Sequence, residues 1–363
     1  MSKYWNSRVK NIIPYVPGEQ PGDRKIIKLN TNENPYPPSP KVIEDMQNAL
    51  NADLRLYPDP DCIMFREAAS LRYNVKLNQV FAGNGSDEIL AFAFGAFFEK
   101  SAEKKEGERQ VLFPDITYSF YPVYADLWDI AFRKIPLAYD FSINCSDYKM
   151  PCAGVVFPNP NAPTGIPVPL ADILSLAGYL EEQSRVLVVD EAYSAFGSES
   201  AIPYIEKHPN LLIVHTMSKS ASLAGMRFGY AIGSGELIEG LCRIRDSFNS
   251  YTVDRIALAG AAAAIKDTVY YEMINSRVIA TRERTSEELR SIGFDVLPSA
   301  SNFIFIKAPG ITGLSFFKFL RDRGILVRHF NKEIIEDFLR VSIGTDEEMD
   351  KFLECCREIR RKS

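Results

Sequence analysis

A lysine and an arginine stand in a segment of the sequence that otherwise carries no charge. The segment reads SKSASLAGMRFGY over 218–230, and it follows the apolar run LLIVHT at 211–216. Lys219 therefore comes shortly after a predicted buried strand. A lysine partly removed from water loses its proton more readily and becomes a nucleophile toward carbonyl carbons. Arg227, eight positions later, has the charge and geometry to bind a phosphate. The plain alternative is a solvent-facing lysine, so the interpretation depends on its neighbours.

A carboxylate and a phenol end another apolar run. In RVLVVDEAY, at 185–193, Asp190 follows aliphatic residues and Tyr193 comes three positions later. A buried carboxylate is costly unless it meets a cation or a hydrogen-bond donor, although an aspartate that caps a loop is the simpler reading. Lys219 lies 219 − 190 = 29 residues after Asp190, about one strand–helix–strand step. The two side chains are therefore expected at one edge of a sheet.

Two further segments follow apolar runs. GNGSDEIL, at 83–90, predicts a helix that continues from Asp87 with Ser86 as its N-cap. The free amides of such a helix start bind anions, although a simple capped turn explains the segment as well. NPNAPTG, at 159–165, predicts a rigid turn, which turn chemistry explains as well as function does.

Together these groups describe one kind of ligand. In an open parallel sheet, ligands bind beyond the carboxyl ends of the strands, where an amine, a carboxylate, a phenol, an arginine and a helix start would meet. An aldehyde that carries a phosphate and a basic ring nitrogen would use all of them. This is the chemistry of pyridoxal 5′-phosphate: the lysine bonds to the aldehyde, and the carboxylate keeps the ring nitrogen protonated.

The elements that must position these groups alternate along the chain. Unbroken runs of Val, Leu and Ile between helical segments are typical of an α/β fold with a mostly parallel sheet covered on both faces. The predicted strands are QVFAG, RQVLFP, AGVVFP, RVLVVDEAY, LLIVHT and FGYAIG. We predict a large cofactor-binding domain over 46–255 on this pattern.

The pattern changes after residue 255. A long Ala-rich helical region is followed by three strand-like pieces, SNFIFIKA, GILVRHF and DFLRVSIG, and by a final helix with a capping box of Thr345 and Glu348. We predict a smaller α+β domain over 256–363, with an extended arm over 1–45 packed on it. In DFLRVSIG the apolar residues alternate with Arg340, which places the arginine on the opposite face from them.

Composition excludes several classes of protein. The net charge of −5 offers no general attraction to nucleic acid, and no apolar run of about 18 residues could span a membrane. The three histidines are not spaced as metal ligands, so no metal is expected. Six scattered cysteines without a C-x-x-C pair indicate reduced thiols and a cytoplasmic location.

The motifs, in order, resemble the fold type I pyridoxal-phosphate-dependent aminotransferases over nearly the whole chain. Within that group the sequence is most similar to the histidinol-phosphate aminotransferase branch. The segments that carry the resemblance are PYVPGEQPG, KLNTNENPYPPSP, RLYPDPD, GNGSDEIL, PDITYSFY, VDEAYSAF, TMSKSASLAGMRFGY and FLRVSIGT.

The resemblance implies a role for each matching position. Lys219 would bond to the cofactor and move protons, Asp190 would pair with the ring nitrogen, and Tyr193 would bond the ring hydroxyl. The cofactor would also contact Tyr118, stacked on its ring, and, at its phosphate end, Ser86, Asp87, Ser218 and Arg227. Tyr57 would reach into the partner's site across a homodimer interface, touching both cofactor and substrate. One position departs from the family: an asparagine usually precedes Pro-Thr-Gly, and here Ala162 stands there with Asn161 before it. Either Asn161 substitutes as a cofactor ligand or that bond is missing.

The resemblance also implies a reaction and its substrate residues. The expected activity is transamination of L-histidinol phosphate with 2-oxoglutarate, giving imidazole acetol phosphate and glutamate in histidine biosynthesis. The substrate residues would be Tyr15, Asn32, Tyr57, Arg328 and Arg340. Three alternatives stay open: an aromatic amino acid aminotransferase, a threonine-phosphate decarboxylase of the same fold, and an inactive cofactor-binding scaffold.

Overall fold

The computed structural model describes residues 3–6, 9–10, 12–15, 18–20, 22, 26–100 and 109–362. Parts of the predicted arm, and of its PYVPGEQPG motif, lie outside these residues. The described chain forms a seven-stranded sheet, a four-stranded sheet and one short two-stranded pair, with helices packed around them.

The seven-stranded sheet holds the centre of the molecule. Its spatial order is β2-β8-β7-β6-β5-β3-β4; β8 runs antiparallel to both of its neighbours, and every other neighbouring pair in this sheet is parallel. The strands are β2 (Val80–Gly83), β3 (Val111–Pro114), β4 (Phe132–Ile135), β5 (Gly154–Pro158), β6 (Val186–Asp190), β7 (Leu211–Thr216) and β8 (Gly229–Ile232). The prediction of an α/β fold with a mostly parallel sheet is confirmed.

Helices cover both faces of this sheet because its strands are apolar on both sides. Successive residues of β6 point to opposite faces: Leu187 belongs to one buried cluster and Val188 to another. The helices of this part are α1 (Pro40–Ala49), α2 (Ile63–Tyr73), α3 (Gly85–Phe97), α4 (Tyr121–Trp128), α5 (Leu170–Glu181), α6 (Gly235–Phe248) and α7 (Arg255–Lys266).

The C-terminal part is built on a smaller antiparallel sheet. Its order is β12-β13-β10-β9, and a third buried cluster packs between it and the helices that follow. The elements are α8 (Thr268–Ser291), β9 (Asp295–Val296), β10 (Phe303–Lys307), α9 (Gly313–Arg321), β11 (Ile325–Leu326), β12 (Arg328–His329), β13 (Phe338–Ser342) and α10 (Asp346–Lys362). Strand β1 (Ile27–Lys28), from the N-terminal arm, pairs in parallel with β11.

Several details differ from the sequence predictions. The edge strand β4 was missed because its middle residues are polar and exposed. The Ala-rich region is two helices, since the chain breaks at Asp267. GILVRHF forms two short strands with different partners, β11 and β12. The capping box is confirmed: the amide of Thr345 donates to Glu348 at 2.8 Å, and the amide of Glu348 donates to the Thr345 hydroxyl at 3.3 Å.

The domain boundaries stay a prediction. Helix α7 begins at the predicted boundary, yet most of its residues between Ala257 and Ile265 are buried in the same cluster as the seven-stranded sheet, against α1 and α2. Among the described residues, no helix is both long enough and apolar enough to cross a membrane.

Candidate active site

A cavity of about 280 Å³ lies beyond the carboxyl ends of the central strands, where an α/β sheet binds its ligands. Eight of the predicted site residues line it: Ser86, Asp87, Tyr118, Asp190, Tyr193, Ser218, Lys219 and Arg227. They come from four separate stretches of the chain that the sheet brings to one place. Gln20, Thr31, Glu33, Pro158, Ala162, Ala192, Thr216 and Ala224 complete the wall.

Lys219 lies just after β7, and its amine faces this cavity. Its Nζ donates to the carbonyl oxygen of Thr31 at 2.9 Å and lies 5.9 Å from the centre of the Tyr193 ring. Burial lowers the pKa of Lys219 to about 8, and the positive charge of Arg340 acts in the same direction. A substantial fraction of the amine is therefore unprotonated near neutral pH, as a nucleophile and general base requires.

Asp190 ends β6 and is almost fully buried. Its carboxylate accepts from the amide of Ala192 at 3.2 Å and from the hydroxyl of Tyr121 at 3.3 Å. Burial raises the pKa of Asp190 to about 7, because two neutral donors do not replace the water that a carboxylate loses. A cation placed against Asp190, such as a protonated ring nitrogen, would restore its charge.

Tyr193 presents its hydroxyl to the same space. The hydroxyl accepts from the side-chain amide of Asn32 at 3.0 Å, which leaves its own proton free to donate. Burial raises the pKa of Tyr193, so the phenol is neutral at physiological pH. Asn32 itself does not line the cavity; it acts on it through Tyr193.

The start of α3 and Arg227 lie at one end of the cavity, which we call the anion-binding end because free helix amides and a guanidinium attract anions. Arg227 has a φ of 52°, unusual for a residue with a side chain, and its guanidinium bonds Asp87 at 2.8 Å. Tyr118 donates to the other oxygen of Asp87 at 2.6 Å. The helix begins at Gly85, so the prediction of Ser86 as N-cap is wrong; Ser86 lies in the first turn with its amide near the cavity.

Ser218 sits between this end and Lys219. Its buried hydroxyl accepts from Thr216 at 3.0 Å, and its own amide donates back to Thr216 at 3.1 Å. The pair fixes the turn that carries Lys219 out of β7.

Asn161 is turned away from the cavity. Its side-chain amide donates to the carbonyl of Ile116 at 3.0 Å and to Thr164 at 3.1 Å. The methyl group of Ala162, not Asn161, lines the cavity wall. The amide hydrogens of Asn161 are thus used elsewhere, while its Oδ1 is buried without a hydrogen-bond partner, and its role as a cofactor ligand stays a prediction.

Two arginines face each other across the small sheet. Arg328 on β12 is the direct cross-strand partner of Arg340 on β13. Like charges in that position repel, and an anion between them would remove the repulsion. Arg340 donates to the carbonyl of Asn30 at 3.0 Å, while its Nε is buried without a hydrogen-bond partner. Neither arginine lines the cavity itself. Arg340 lies 5.4 Å from the centre of the Phe303 ring, which packs edge-on against Tyr193 at 5.1 Å, while Arg328 lines a separate cavity with Asn30.

Tyr15 and Tyr57 lie outside the cavity. Tyr15 stacks on Phe120 with ring centres 4.2 Å apart, and Phe120 in turn contacts Tyr118 at 5.4 Å. Tyr57 is 77% exposed and stacks on Tyr251 at 4.5 Å. Within one subunit, Tyr57 takes no part in the site.

In the segment after β1, the sequence predicted a role for Asn32 but none for its neighbours. Residues 30–34 touch four groups of the site: the carbonyls of Asn30 and Thr31 receive Arg340 and Lys219, while the amides of Asn32 and Asn34 bond Tyr193 and the backbone of Lys219. Glu33 also lines the cavity. The signal was a lone carboxylate in the Asn- and Pro-rich stretch NTNENP.

The residues present fit a phosphorylated aldehyde with a basic ring nitrogen. The amine, the buried carboxylate, the phenol and the arginine line one cavity, and the pKa of Asp190 shows that this carboxylate lacks a cation. A side chain at position 229 would bring its Cβ within 2.4 Å of the amide of Ser86, so only glycine lets β8 approach the anion-binding end so closely. Within the part of the chain that the structure covers, three or more His, Cys, Asp or Glu side chains nowhere cluster as metal ligands would.

Comparison with known proteins gives a consistent result. A family model described as aminotransferase class I and II matches residues 24–355. The chain is 52% identical to histidinol-phosphate aminotransferase of Clostridium acetobutylicum over 358 residues, covering 99% of each chain. It is 51% identical to that of Chromohalobacter salexigens over 362 residues, covering 99% of this chain and 100% of the relative.

The fold is similar to solved structures of lower identity. A crystal structure of histidinol-phosphate aminotransferase from Sinorhizobium meliloti, in complex with pyridoxal-5′-phosphate, superposes with a TM-score of 0.87 at 23% identity, covering 100% of this chain and 99% of the other. Because the family model spans most of the sequence and relatives at half identity match it from end to end, the chain belongs to the class I and II aminotransferases and, among them, to the histidinol-phosphate aminotransferases.

Proposed function

We propose that this protein is a pyridoxal-phosphate-dependent aminotransferase that converts L-histidinol phosphate and 2-oxoglutarate to imidazole acetol phosphate and glutamate. The observation that carries the proposal is the cavity in which Lys219, Asp190, Tyr193 and Arg227 meet from separate parts of the chain. The identity of about half to named histidinol-phosphate aminotransferases supports the substrate.

Each residue of the cavity has a task in such a reaction. When bound, pyridoxal phosphate supplies an aldehyde that takes up the amino group and a ring that accepts electrons from the substrate Cα. Arg227, with Ser86 and Ser218, would hold its phosphate. Asp190 would hold a proton on the ring nitrogen, since its burial favours pairing with a cation.

Lys219 is the base of the proposed reaction. Once its Nζ is free, the neutral amine would take the proton from the substrate Cα and hold it for return to the product. The lowered pKa of Lys219 makes the neutral amine available for this step. Tyr118, held by Asp87, would stack on the ring and fix its orientation.

The arginine pair supports an anionic substrate. Arg328 and Arg340 are cross-strand partners, and the unpartnered Nε of Arg340 has a donor to offer. Such a pair would bind the phosphate of histidinol phosphate in the first half-reaction and the carboxylate of 2-oxoglutarate in the second. One site would thus serve both substrates.

We also propose a homodimer with shared active sites. Exposed apolar side chains occur in two stretches of the chain, 50–64 and 248–251, which are joined by the stacking of Tyr57 on Tyr251; we call this set the apolar patch. It consists of Leu50, Leu54, Leu56, Tyr57, Met64, Phe248 and Tyr251. A second copy covering it would bury Tyr57, whose hydroxyl would then be available to the partner's substrate phosphate.

A cytoplasmic location is part of the proposal. The six cysteines are free, and each is buried or half-buried. Six cysteines without a disulfide are typical of proteins in a reducing compartment.

The deciding experiment is a half-reaction without keto acid. The protein is loaded with pyridoxal phosphate, and its visible absorbance is followed as one amine at a time is added: L-histidinol phosphate, L-phenylalanine, L-glutamate and O-phosphothreonine. We expect bleaching at the lowest concentration for histidinol phosphate. A stronger response to phenylalanine would show an aromatic amino acid aminotransferase. Release of CO₂ from phosphothreonine would show a decarboxylase. If no amine changed the absorbance, the proposal of an aminotransferase would be wrong.

Lys219→Ala provides the matching covalent test. Borohydride reduction of the loaded protein followed by peptide mapping should tag Lys219 alone, and the variant should lose the tag together with at least about 10³-fold in turnover. A tag on another lysine would show that Lys219 is not the reacting amine.

A further inference from the structure

Glu33 is a carboxylate in the wall of the active-site cavity to which the proposed function gives no task. It lies in the segment after β1, two residues beyond Thr31. Its side chain is 39% exposed, so it reaches the cavity without being sealed in the core. The question is what a negative charge does beside a lysine that must be neutral to act as a base.

The contacts of Glu33 fix the segment around it. One oxygen forms an ion pair with the amine of Lys28, and the other accepts from the hydroxyl of Thr31. Lys28 also donates to that hydroxyl. Three side chains from positions 28, 31 and 33 thus form a closed polar cluster, which we call the Lys28–Glu33 cluster.

The cluster bears directly on Lys219 through Thr31. The side chain of Thr31 is held by Lys28 and Glu33, and its carbonyl oxygen receives the amine of Lys219 at 2.9 Å. The same segment holds the backbone of Lys219 through Asn34, whose side-chain amide donates to the Lys219 carbonyl at 3.1 Å. An amine that gives one N–H to a fixed acceptor keeps its lone pair in a fixed direction.

We propose that Glu33 is a positioning residue of the reaction, which acts on Lys219 through Thr31 while Lys219 is detached from the cofactor. The inference rests on the proposed function only in taking Lys219 as the reacting amine.

The charge of Glu33 has a second effect on Lys219, which acts against the lowering of its pKa. Burial alone would raise the pKa of Glu33, but its contacts with Lys28 and Thr31 and the charge of Lys219 outweigh burial, so this pKa lies below its ordinary value. The carboxylate is therefore ionised wherever the enzyme works. Its charge raises the pKa of Lys219 and offsets part of the lowering caused by burial and Arg340. The other charged or titratable groups that face Lys219 are Asp87, Arg227, Tyr193 and Asp190.

The test measures the proton affinity of the free lysine in the holoenzyme. The protein is loaded with pyridoxamine phosphate, which leaves the Lys219 amine free. Its reaction with trace acetic anhydride is then followed from pH 6 to 10 by peptide mass spectrometry. Glu33→Gln keeps the shape and removes the charge, so the midpoint of Lys219 labelling should move to lower pH. Lys28→Met leaves Glu33 without its cation, so the midpoint should move to higher pH.

Glu19→Gln is the matched control, since Glu19 is an ion-paired carboxylate of the same arm that bonds Arg321 and lies outside the cavity. Its midpoint should match that of the unaltered protein. We also expect Glu33→Gln to reduce the single-turnover rate about tenfold with little change in amine-donor KM, as loss of an oriented base does.

The outcomes separate the proposal from a merely structural role and from the proposed function. Opposite shifts in the two variants support a charge and positioning effect. Equal midpoints in all variants, or shifts in one direction for both, would overturn it. Because labelling requires no substrate, a failure of histidinol phosphate to react would leave this result standing.

Discussion

At the scale of single residues, Asp190 is a carboxylate in a buried position, where its ionised form is unfavourable. Its carboxylate is almost fully buried and has two neutral hydrogen-bond donors, so its pKa rises to about 7. In the absence of a cation, the folded protein holds a proton there that the unfolded chain has already lost. Residues that serve a ligand often reduce the stability of the unliganded fold in this way.

This predicts a pH-dependent gain in stability for Asp190→Asn. Between pH 4 and 7 the native state binds more protons at this site than the unfolded state, so its contribution to the free energy of unfolding falls as pH rises through this window. The loss is about 1.4 kcal/mol for each unit of pKa difference. Thermal midpoints of the cofactor-free protein and of the variant should differ more at pH 8 than at pH 5. An equal difference at both pH values would contradict the prediction.

The charged residues of the site could be predicted from the sequence, but the orientation of the side chains around them could not. Lys219, Asp190 and Arg227 stood out because each is a charge beside an apolar run. Asn161 looked like a cofactor ligand, yet its amide bonds Ile116, a contact that only the folded turn specifies. Glu33 was missed because its contacts are with its own short segment, in which no periodic pattern marks a function.

At the scale of elements, the contact of β8 with the start of α3 determines the shape of the anion-binding end. Gly229 opens β8, where the antiparallel strand runs directly beneath Gly85 and Ser86. Any Cβ there would meet backbone atoms, which cannot rotate aside as a flexible side chain can. The free amides of the helix start are thereby held next to Arg227.

Gly229→Ala is therefore predicted to weaken cofactor binding. The added carbon would lie 2.4 Å from the amide of Ser86, and relief of such overpacking costs about 1–3 kcal/mol. If the strain falls on the anion-binding end, the dissociation constant for pyridoxal phosphate should rise about tenfold for each 1.4 kcal/mol. Gly225→Ala is the control, because a Cβ at position 225 would have no atom within 4 Å. Equal cofactor affinity in the two variants, measured by absorbance titration, would show that the close approach is unimportant.

Strands could be predicted from the sequence where both faces of the strand are buried. The central strands β5, β6 and β7 are continuous apolar runs because both faces are covered, and the sequence marks them clearly. Strand β4 lies at the edge of the sheet with Arg133 and Lys134 exposed, so no apolar pattern identifies it. The split of GILVRHF depends on pairing with a strand almost 300 residues away, which local sequence does not encode.

At the scale of the whole molecule, the proposed dimer would complete a site that one subunit leaves open. Tyr57 is exposed in the apolar patch and contributes nothing to its own subunit's cavity. Phe248, in the same patch, is 73% exposed, although a phenyl ring gains about 1.5–3 kcal/mol on full burial. Both observations are explained if a second copy covers the patch.

Phe248→Glu should convert the protein to monomers. A charge at the centre of an apolar interface cannot be solvated or paired there, so association should weaken by at least about tenfold. Sedimentation velocity would measure the change, and turnover should fall with the dimer fraction because Tyr57 serves the partner. Ile334→Glu, at an exposed residue of the small sheet's loop, should remain dimeric. A fully active Phe248→Glu monomer would contradict the shared site.

The contact between the segment after β1 and the end of β13 has a consequence for the order of events during synthesis. Asn32, which positions Tyr193, is itself held by Ser342, a residue 310 positions further along the chain. The seven-stranded sheet and its lysine are complete in sequence long before this partner leaves the ribosome. The acceptor for the lysine amine and the arginine pair therefore come together only at the end of translation. A truncated or nascent chain holds the parts of the catalyst without their mutual alignment, so substrate turnover begins only when the whole chain has been made.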